Sequence, residues 1–241
     1  MPLKSTRLRG GGARNQRSPV KVRQRRATRA SSRRLLLQCR RDRLNDPKFV
    51  RRRRAVHLIV SINGSPRVGS RTGILLQSIV DSISAKAQVR SERVDLAAES
   101  SEIFSGISRD KLTQRGEELV SLAEQADLMV IGSPIYRGTY TGIFKHYFDL
   151  VDRDRIANGL AVIAATAGAP HHALAIEHQF RPLMGFFNVQ TAASAPFGVD
   201  IDFEGGRIVN KTLLNQVGRA ASEAAFLLTG RIYSKSTFGA E

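Results

Sequence analysis

The sequence predicts an α/β fold in which helices cover both faces of a parallel sheet. Two observations lead to this prediction. Short runs of β-branched and other apolar residues alternate along the chain with longer segments of helical periodicity. In addition, the runs at 126–133 and 160–166 are apolar over most of their length, which is typical of strands that are buried on both faces of a parallel sheet.

The first strand-to-helix connection has the features of an anion-binding loop. The apolar run 56–60 predicts a strand, the polar segment 61–72 a loop, and the amphipathic run 74–80 a helix. This order directs backbone N–H groups and the positive end of the helix at an anion. A turn with ordinary capping residues would show the same pattern. We predict that the loop binds phosphate through three hydroxyls and a guanidinium, those of Ser65, Ser70, Thr72 and Arg67.

Two common nucleotide-binding motifs do not match this loop. A nucleoside-triphosphate loop requires Lys and then Ser or Thr after its second glycine, whereas Gly69 is followed by Ser70 and Arg71. A dinucleotide fingerprint requires three glycines spaced G-x-G-x-x-G, but only Gly64 and Gly69 are present. The hydroxyl-rich loop suits a flavin monophosphate better.

The next segments continue the alternation of strands and helices. Residues 88–96 predict a strand near a sheet edge, because charged residues interrupt its apolar pattern, and residues 109–125 predict an amphipathic helix. A buried strand at 126–133 then ends in a second loop, 133–142, which leads into a helix at 143–151.

The C-terminal half completes the predicted sheet. Its segments are a fourth strand at 160–166, a third loop at 167–172, a long helix at 173–187, a fifth strand at 189–193, a hairpin at 199–209 turning at Gly205-Gly206, and a last helix at 213–228. In parallel sheets, ligands bind outside the carboxyl ends of the strands. All three loops are expected on that rim, and their convergence favours the flavin hypothesis.

The excess of positive charge is confined to the first 54 residues. The chain has a formal net charge of +17, and residues 1–54 contain 20 of its 38 Lys and Arg but two of its 21 Asp and Glu. The remainder has 18 basic and 19 acidic residues, a net charge of −1. Self-repulsion and the shortage of apolar residues predict that this Arg-rich extension is disordered.

Three interpretations of the extension compete. An Arg-rich tract could bind nucleic acid through counterion release. A Ser- and Arg-rich, acid-poor N-terminus is also typical of an organelle transit peptide. We favour the third interpretation, that the extension is not part of the functional unit, because no aromatic residue for base stacking precedes Phe49. Nucleic-acid binding is therefore not expected.

Length and cysteine content suggest the domain organisation and location. Residues 55–231 are enough for one well-packed domain, followed by a C-terminal tail at 232–241. No stretch has the length of a bilayer-spanning segment. The single cysteine, Cys39, provides neither an internal disulfide nor a Cys-based metal site, and the spacing of the histidines does not favour a metal either. We expect a cytoplasmic enzyme without a metal or a membrane partner.

Each of the three loops carries a motif. These are Gly64-Ser65-Pro66-Arg67 with Ser70, Ser133-Pro134-Ile135-Tyr136 with Gly138, Tyr140, Thr141, Gly142 and Lys145, and Thr166-Ala167-Gly168 followed by His172 and Arg181-Pro182. Together they resemble the NADPH-dependent FMN reductases of flavodoxin-like fold, most closely the reductases that supply reduced flavin to sulfonate- and sulfone-cleaving monooxygenases. The resemblance covers residues 56–231. It implies a three-layer sandwich with a five-stranded parallel sheet and a small hairpin near the C-terminus.

The resemblance implies three groups of FMN-binding residues, one on each loop. They are Ser65, Arg67, Ser70 and Thr72 for the phosphate, Pro134, Ile135, Tyr136, Arg137 and Gly138 for the ribityl chain and ring edge, and Thr166, Gly168 and Ala169 for the pyrimidine end of the ring. His178 lies where related reductases carry an inserted residue that bulges the helix into a π-turn.

The resemblance also implies the activity of an NAD(P)H:FMN oxidoreductase. NADPH or NADH would pass a hydride to FMN, and reduced FMN would reach a partner flavin-dependent monooxygenase. The cofactors carry this chemistry, so no catalytic side chain is expected. The apolar helix 173–187 would form the interface of a homodimer or homotetramer.

Two other functions remain open from the sequence. A quinone, azo-dye or chromate reductase of the same fold would retain FMN and reduce a different second substrate. A flavodoxin-type electron carrier would share the fold, but such carriers are usually strongly acidic, and residues 55–241 are nearly neutral.

Overall fold

The computed structural model describes residues 56–237, with side chains as far as Gly230. The predicted disordered extension at 1–54 lies outside the described residues, as does the end of the predicted C-terminal tail, 238–241. The domain boundaries proposed from the sequence, 55 and 231, remain a prediction.

The described residues form strands and helices in alternation. The strands are β1 His57–Asn63, β2 Val89–Asp95, β3 Leu128–Pro134, β4 Leu160–Ala167, β5 Gln190–Thr191, β6 Phe197–Val199, β7 Phe203–Glu204 and β8 Arg207–Ile208. The helices are α1 Arg71–Ser84, α2 Ser100–Ile103, α3 Gln114–Gln125, α4 Gly142–Leu150, α5 Arg153–Ile156, α6 Arg181–Phe186 and α7 Lys211–Thr237. Shorter segments are the 3₁₀ turns Arg109–Lys111, Pro170–Leu174 and Asp200–Asp202 and the π-helix Ile176–Phe180.

The main sheet is parallel and has the strand order β2-β1-β3-β4-β5. This order confirms the predicted five-stranded parallel sheet and the edge position of the charged strand β2. From β1 the chain continues to β2 on one side, while β3 lies on the other side. The topological switch point, where such sheets bind ligands, therefore falls between β1 and β3.

Two short strands, β5 and β6, form the sheet edge next to β4. The sequence predicts a single strand there, at 189–193. β5 pairs with the beginning of β4 and β6 with its end. Between them, the Glu223 carboxylate accepts hydrogen bonds from the Ser194 N–H (2.7 Å) and hydroxyl (2.6 Å). The first of these bonds satisfies the Ser194 backbone N–H outside the sheet, so the strand is interrupted there and resumes as β6, which the sequence did not predict.

The two faces of the sheet carry separate hydrophobic cores, and helices cover both, as predicted. Along β1, Leu58 and Val60 point to one core and Ile59 to the other. We call the first core the aromatic face, because its largest buried side chains are rings, those of Phe144, Tyr147, Phe148 and Phe180. The second, the aliphatic face, is formed with α1 and α7, and its helical residues include Leu75, Ile79, Leu213, Val217, Ala220 and Ala224.

The predicted long helix at 173–187 is divided into three segments. A 3₁₀ turn and a π-helix precede the short α6. His178 lies inside the π-helix, which confirms the predicted bulge. One cause is Pro182 in the first turn of α6, because proline lacks the N–H that a continuous α-helix would donate to the His178 carbonyl.

Other helix boundaries also differ from the prediction. The predicted helix 109–125 begins as a 3₁₀ turn, and α3 starts only after Thr113, whose hydroxyl accepts a hydrogen bond from the Gly116 N–H (3.0 Å). The predicted hairpin is present, with φ of 54° at Gly205 and 75° at Gly206. The last helix extends to Thr237. Within the described part of the chain, no helix combines the length and hydropathy of a bilayer-crossing segment.

Candidate functional site

Three loops meet at the carboxyl ends of β1, β3 and β4. The Gly64 N–H donates to the Gly132 carbonyl (2.7 Å), which joins the first loop to β3. The Ile135 N–H donates to the Thr166 carbonyl (2.7 Å), which joins the second loop to β4. The convergence predicted from the sequence is therefore present, at the topological switch point of the sheet.

The first loop is shaped by its own hydrogen bonds. Ser65 is 2% exposed, and its hydroxyl accepts from the Arg67 N–H (3.1 Å) and donates to the Arg67 carbonyl (3.2 Å). This pairing folds the loop into a tight turn and leaves the Arg67 side chain exposed at the rim. Gly69 has φ of 68°, a left-handed conformation that favours glycine.

The start of α1 presents the backbone donors of an anion site. The Ser70 hydroxyl accepts from the Gly73 N–H (3.2 Å), and the first intrahelical bond runs from the Ile74 N–H to the Ser70 carbonyl (3.0 Å). The N–H groups of Arg71 and Thr72 precede that bond, so helix geometry leaves them available to an anion.

Thr72 joins the first and third loops. Its side chain is 1% exposed, and its hydroxyl lies 2.7 Å from that of Thr166, which is also buried. These two predicted site residues are therefore in direct contact. The Thr72 hydroxyl therefore ties the start of α1 to the end of β4.

The second loop is a tight hairpin turn that projects into solvent. Tyr136 and Thr139 exchange backbone hydrogen bonds of 2.8 and 3.2 Å. The two residues between them, Arg137 and Gly138, have φ of 55° and 84°, the left-handed pair of a two-residue hairpin. A positive φ is costly for arginine, and such backbone strain is concentrated at functional sites. The turn exposes the Tyr136 ring by 44% beside Pro134 and the buried Ile135.

A buried threonine fastens the second loop to the first. The Thr141 hydroxyl donates to the Gly64 carbonyl (2.5 Å) and caps α4 by accepting from the Phe144 N–H (3.3 Å). Gly64 also packs closely against Phe144 of α4, so that a Cβ added to Gly64 would lie 2.4 Å from the Phe144 ring. Glycine is therefore required at residue 64 by packing against α4.

Tyr140 is part of the wall behind the site. Its ring packs edge-on against Phe180 with centroids 5.3 Å apart and lies 5.4 Å from that of Phe144. Burial raises the pKa of its phenol above the ordinary value of 10.0. The residue is therefore a neutral packing element at physiological pH.

The third loop supplies an open position next to the buried Thr166. Gly168 is exposed, Ala169 is half-buried, and the 3₁₀ turn with His171 and His172 follows. A methyl group added to Gly168 would meet no atom within 4 Å, and the same holds for Gly138 on the second loop. Both glycines therefore border open space.

A cavity of about 660 Å³ lies between the first two loops and the segment after β2. The predicted residues that line it are Tyr136 and Arg137, next to Pro66 of the first loop. The third loop does not line this cavity. Other lining residues were not predicted, among them Ala97, Ser100 and Phe104, which lie in a polar Ser- and Glu-rich connection without periodicity.

Phe104 was the one available signal in that connection, as an aromatic residue among polar ones. Its ring stacks on that of His146 at 5.0 Å with an interplanar angle of 13°. The His146 Nε2 lies 3.0 Å from the Ile103 carbonyl and 3.2 Å from the Gly106 carbonyl, so it donates to both. These contacts fix the segment after β2 against α4.

The residues present fit the phosphate of FMN. The donor set consists of the Arg67 guanidinium, the Ser70 hydroxyl and the N–H groups at the start of α1. Charged donors and helix N-termini are the groups that proteins use for phosphate. Gly138 on the second loop and Gly168 on the third border open space, where an added Cβ would meet no atom within 4 Å.

A parallel sheet of this strand order, with helices on both faces, defines a flavodoxin-like fold. The solved structure of an oxidoreductase from Corynebacterium diphtheriae shares it, with a TM-score of 0.64 and 23% identity over 73% of this chain and 99% of that chain. The sequence profile described as NADPH-dependent FMN reductase matches residues 58–204.

Two relatives agree with this assignment. The FMN reductase (NADPH) of Pseudomonas aeruginosa is 32% identical over 173 residues, which cover 72% of this chain and 93% of that protein. The NADH-dependent FMN reductase SfnF of Pseudomonas putida is 40% identical over 142 residues, 58% of this chain and 75% of that protein. The chain belongs to the NADPH-dependent FMN reductase family. It is an oxidoreductase of FMN and NAD(P)H, as the motifs of its three loops predicted.

Proposed function

We propose that the enzyme reduces FMN with NADPH or NADH and releases the reduced flavin to a partner flavin-dependent monooxygenase. The observation that carries this proposal is the asymmetry of the site. The donors for one phosphate are ordered around α1, whereas the ring-side residues Tyr136, Gly138 and Gly168 are exposed. A flavin held mainly through its phosphate at an open rim can leave after reduction. The similarity to the reductase SfnF supports the same proposal.

Each loop has a separate part in this proposal. Arg67, Ser70 and the start of α1 hold the FMN phosphate, while Ser65 shapes the loop. Pro134, Ile135 and the Tyr136–Gly138 turn line the ribityl chain and ring edge. Thr166, Gly168 and Ala169 border the pyrimidine end of the ring. Bound FMN supplies the hydride acceptor, and the protein aligns the two cofactors without a catalytic side chain.

Arg137 is the candidate for nicotinamide selectivity. Its exposed side chain borders the cavity between the first two loops, where a guanidinium could pair with the 2′-phosphate of NADPH. An Arg137→Gln variant should raise the KM for NADPH and leave that for NADH unchanged. Equal changes for both nicotinamides would contradict this role.

A turnover assay of the full-length protein tests the proposed function. NADPH or NADH oxidation, followed at 340 nm, should depend on added FMN. Under anaerobic conditions each enzyme molecule should reduce many equivalents of FMN. Absence of turnover by folded protein would refute the reductase activity. Reduction of a single protein-bound equivalent, with turnover only after a quinone is added, would instead identify a reductase that retains its flavin.

We also propose a homo-oligomer and a cytoplasmic location. Leu174 and Phe186, on the segment predicted to form the subunit interface, are 65% and 62% exposed. The other large apolar residues of that segment, including Phe180 and Met184, pack inside the subunit, so the proposed interface is narrower than the sequence suggested. The location is supported by the single cysteine in the sequence and by the need for NAD(P)H.

A further inference from the structure

Asn63 is a buried polar residue at the base of the phosphate loop to which the sequence analysis assigned no role. It is the last residue of β1 and is 1% exposed. A buried amide is costly unless its oxygen and nitrogen both have partners. The partners of Asn63 therefore indicate what the residue does.

The bonds of Asn63 determine the orientation of its amide. The Oδ1 atom lies 3.2 Å from the Ser65 N–H, which can only donate, so this atom must be the oxygen. The amide nitrogen Nδ2 then donates to the Ser70 Oγ (3.4 Å) and to the Asp95 Oδ2 (3.2 Å). One side chain thus contacts both ends of the phosphate loop and the neighbouring strand β2.

The Asp95 carboxylate is itself held in place. Its Oδ2 accepts from the Arg93 guanidinium (2.5 Å), and its Oδ1 accepts from the Ala97 N–H (3.2 Å). An acceptor-only group beside Nδ2 reinforces the amide orientation, because a flipped Asn63 would place its oxygen against a carboxylate oxygen.

The fixed orientation of the Asn63 amide determines how the Ser70 hydroxyl can form hydrogen bonds. A serine oxygen has two lone pairs and one proton. Both lone pairs are used, one by the Gly73 N–H (3.2 Å) and one by Asn63 Nδ2 (3.4 Å). The hydroxyl can therefore only donate its proton, and among the described residues no acceptor receives it. Ser65 differs, because it donates its proton to the Arg67 carbonyl inside the loop.

We propose that Asn63 is a positioning residue, which orients the Ser70 hydroxyl as an obligate hydrogen-bond donor to the FMN phosphate. The proposal rests on the proposed function, because it takes FMN as the ligand. Its physical basis is preorganisation, since a donor that is already aimed at the phosphate needs no rearrangement on binding. The Arg93–Asp95 pair holds the amide from the edge of the sheet.

The test compares FMN with riboflavin, which has the same ring but no phosphate. Flavin fluorescence titrations of the full-length protein should show that Asn63→Ala weakens FMN binding several-fold, and by less than Ser70→Ala, which removes the charge-assisted hydrogen bond itself and should cost roughly 10- to 100-fold. The affinity for riboflavin should not change. Ser61→Ala is the matched control, because Ser61 is buried in the same strand and its hydroxyl, within the described part of the chain, donates only to the Glu92 carbonyl (3.5 Å).

Two more variants separate positioning from a purely structural role. Asn63→Asp keeps the acceptor for the Ser65 N–H, but it places a second oxygen against the Asp95 carboxylate and beside Ser70, where it would accept the Ser70 proton and draw it away from the phosphate. It should weaken FMN binding at least as much as Asn63→Ala. In a double-mutant cycle, Asn63→Ala should cost little further FMN affinity in a Ser70→Ala background.

The outcomes separate the positioning role of Asn63 from the proposed function. Equal losses for FMN and riboflavin, additive effects in the cycle, or wild-type FMN affinity in Asn63→Asp would overturn the proposal while leaving the reductase function intact. A wild-type protein that binds neither flavin would instead refute the proposed function. The predicted pattern, a phosphate-dependent and non-additive loss, supports both.

Discussion

The two faces of the sheet are built differently, although the same strands supply both. The aliphatic face is covered by two regular helices, α1 with 14 residues and α7 with 27. The aromatic face is covered by shorter helices, a 3₁₀ turn and a π-helix. Its rings contact one another in series, Tyr140 to Phe144 to Phe148 to Phe187, at centroid distances of 5.4, 4.9 and 5.9 Å.

This difference shows how each face is connected to the site. The aliphatic face reaches the rim through Thr72, where α1 is hydrogen-bonded to β4. The aromatic face reaches it through Phe144, which packs against Gly64 and supports the second loop. Aromatic rings pack with preferred geometry, whereas aliphatic side chains can rearrange more easily. We infer that the aromatic face controls loop geometry and that the aliphatic face mainly stabilises the sheet.

The largest expected effect is that of Phe144→Ala. Truncating this buried ring should lower the free energy of unfolding by about 3–5 kcal/mol, as in other cores. It should also weaken FMN binding, since the ring supports Gly64. Leu75→Ala on the aliphatic face should cost about 2–5 kcal/mol but leave the FMN affinity of the folded protein unchanged. Urea unfolding measures the free energy of unfolding and flavin titration the FMN affinity. If Phe144→Ala and Leu75→Ala lost the same FMN affinity, the two faces would not differ in their effect on the site.

A smaller effect is expected at the contact between the aromatic face and the first loop. Gly64→Ala would place a Cβ 2.4 Å from Phe144, so it should destabilise by about 1–3 kcal/mol and weaken FMN binding. Gly142→Ala is the matched control at the start of α4, where a Cβ would meet no atom within 4 Å. It should be neutral or slightly stabilising. If Gly64→Ala had the thermal stability of the wild type, the Phe144 side chain would be able to move away from the added Cβ at little cost, and the contact would not require glycine.

The connection of the aliphatic face to the rim can be tested at Thr72. Thr72→Val should cost about 1–2 kcal/mol, because it leaves the buried Thr166 hydroxyl without its partner. The double variant Thr72→Val/Thr166→Val should recover part of that loss, since neither hydroxyl remains to be satisfied. Chemical denaturation of the wild type, the two single variants Thr72→Val and Thr166→Val, and the double variant gives the coupling energy, and strictly additive losses would contradict the pairing.

A pH effect is expected from α3 on the aromatic face. Two hydrogen bonds from the Arg109 guanidinium (2.6 and 2.9 Å) lower the pKa of Glu117 below its ordinary value of 4.5. A depressed folded-state pKa contributes stability above the unfolded pKa, and that contribution is lost as the pH falls through the folded value. Wild-type stability should therefore decline more steeply below pH 4.5 than that of Glu117→Gln. The side chain is about half exposed, so solvent screens the interaction and the difference should be small; parallel curves would contradict it.

The smallest effect on stability is expected at Phe186, which is exposed next to the aromatic face. Phe186→Ser should change the unfolding free energy of a subunit by less than about 0.5 kcal/mol. If the proposed subunit interface is correct, it should nevertheless shift the mass measured by light scattering toward the monomer. Phe226→Ser on α7, a residue that is 73% exposed, is the control and should leave the mass unchanged. A wild-type monomer would refute the interface.

Much of the fold could be predicted because it depends on local patterns. The 3.6-residue periodicity of α1 and the apolar runs of β3 and β4 reflect which side chains must leave water, and this holds wherever the elements finally lie. The prediction failed where a distant group intervened. Glu223 interrupts the fifth strand through Ser194, and no pattern near residue 194 could have indicated a carboxylate 29 residues away.

The same division applies to the candidate site. The loop motifs showed which residues lie at the carboxyl ends of the strands, since parallel strands bring those ends to one edge. They did not show that Thr72 bonds to Thr166, 94 residues away, or that Thr141 bonds to Gly64, 77 residues away. Nor did they indicate that Asn63 controls the proton of Ser70.

Periodicity was thus sufficient for the parallel sheet and its two helical layers, because hydrophobic burial acts on every segment separately, and the motifs of the three loops were sufficient for the family. The orientation of individual hydroxyls and amides required the folded chain. A hydrogen bond forms between whichever groups packing brings within about 3 Å, and in this protein the groups that shape the first loop come from β1, β2, α1 and the residue that caps α4.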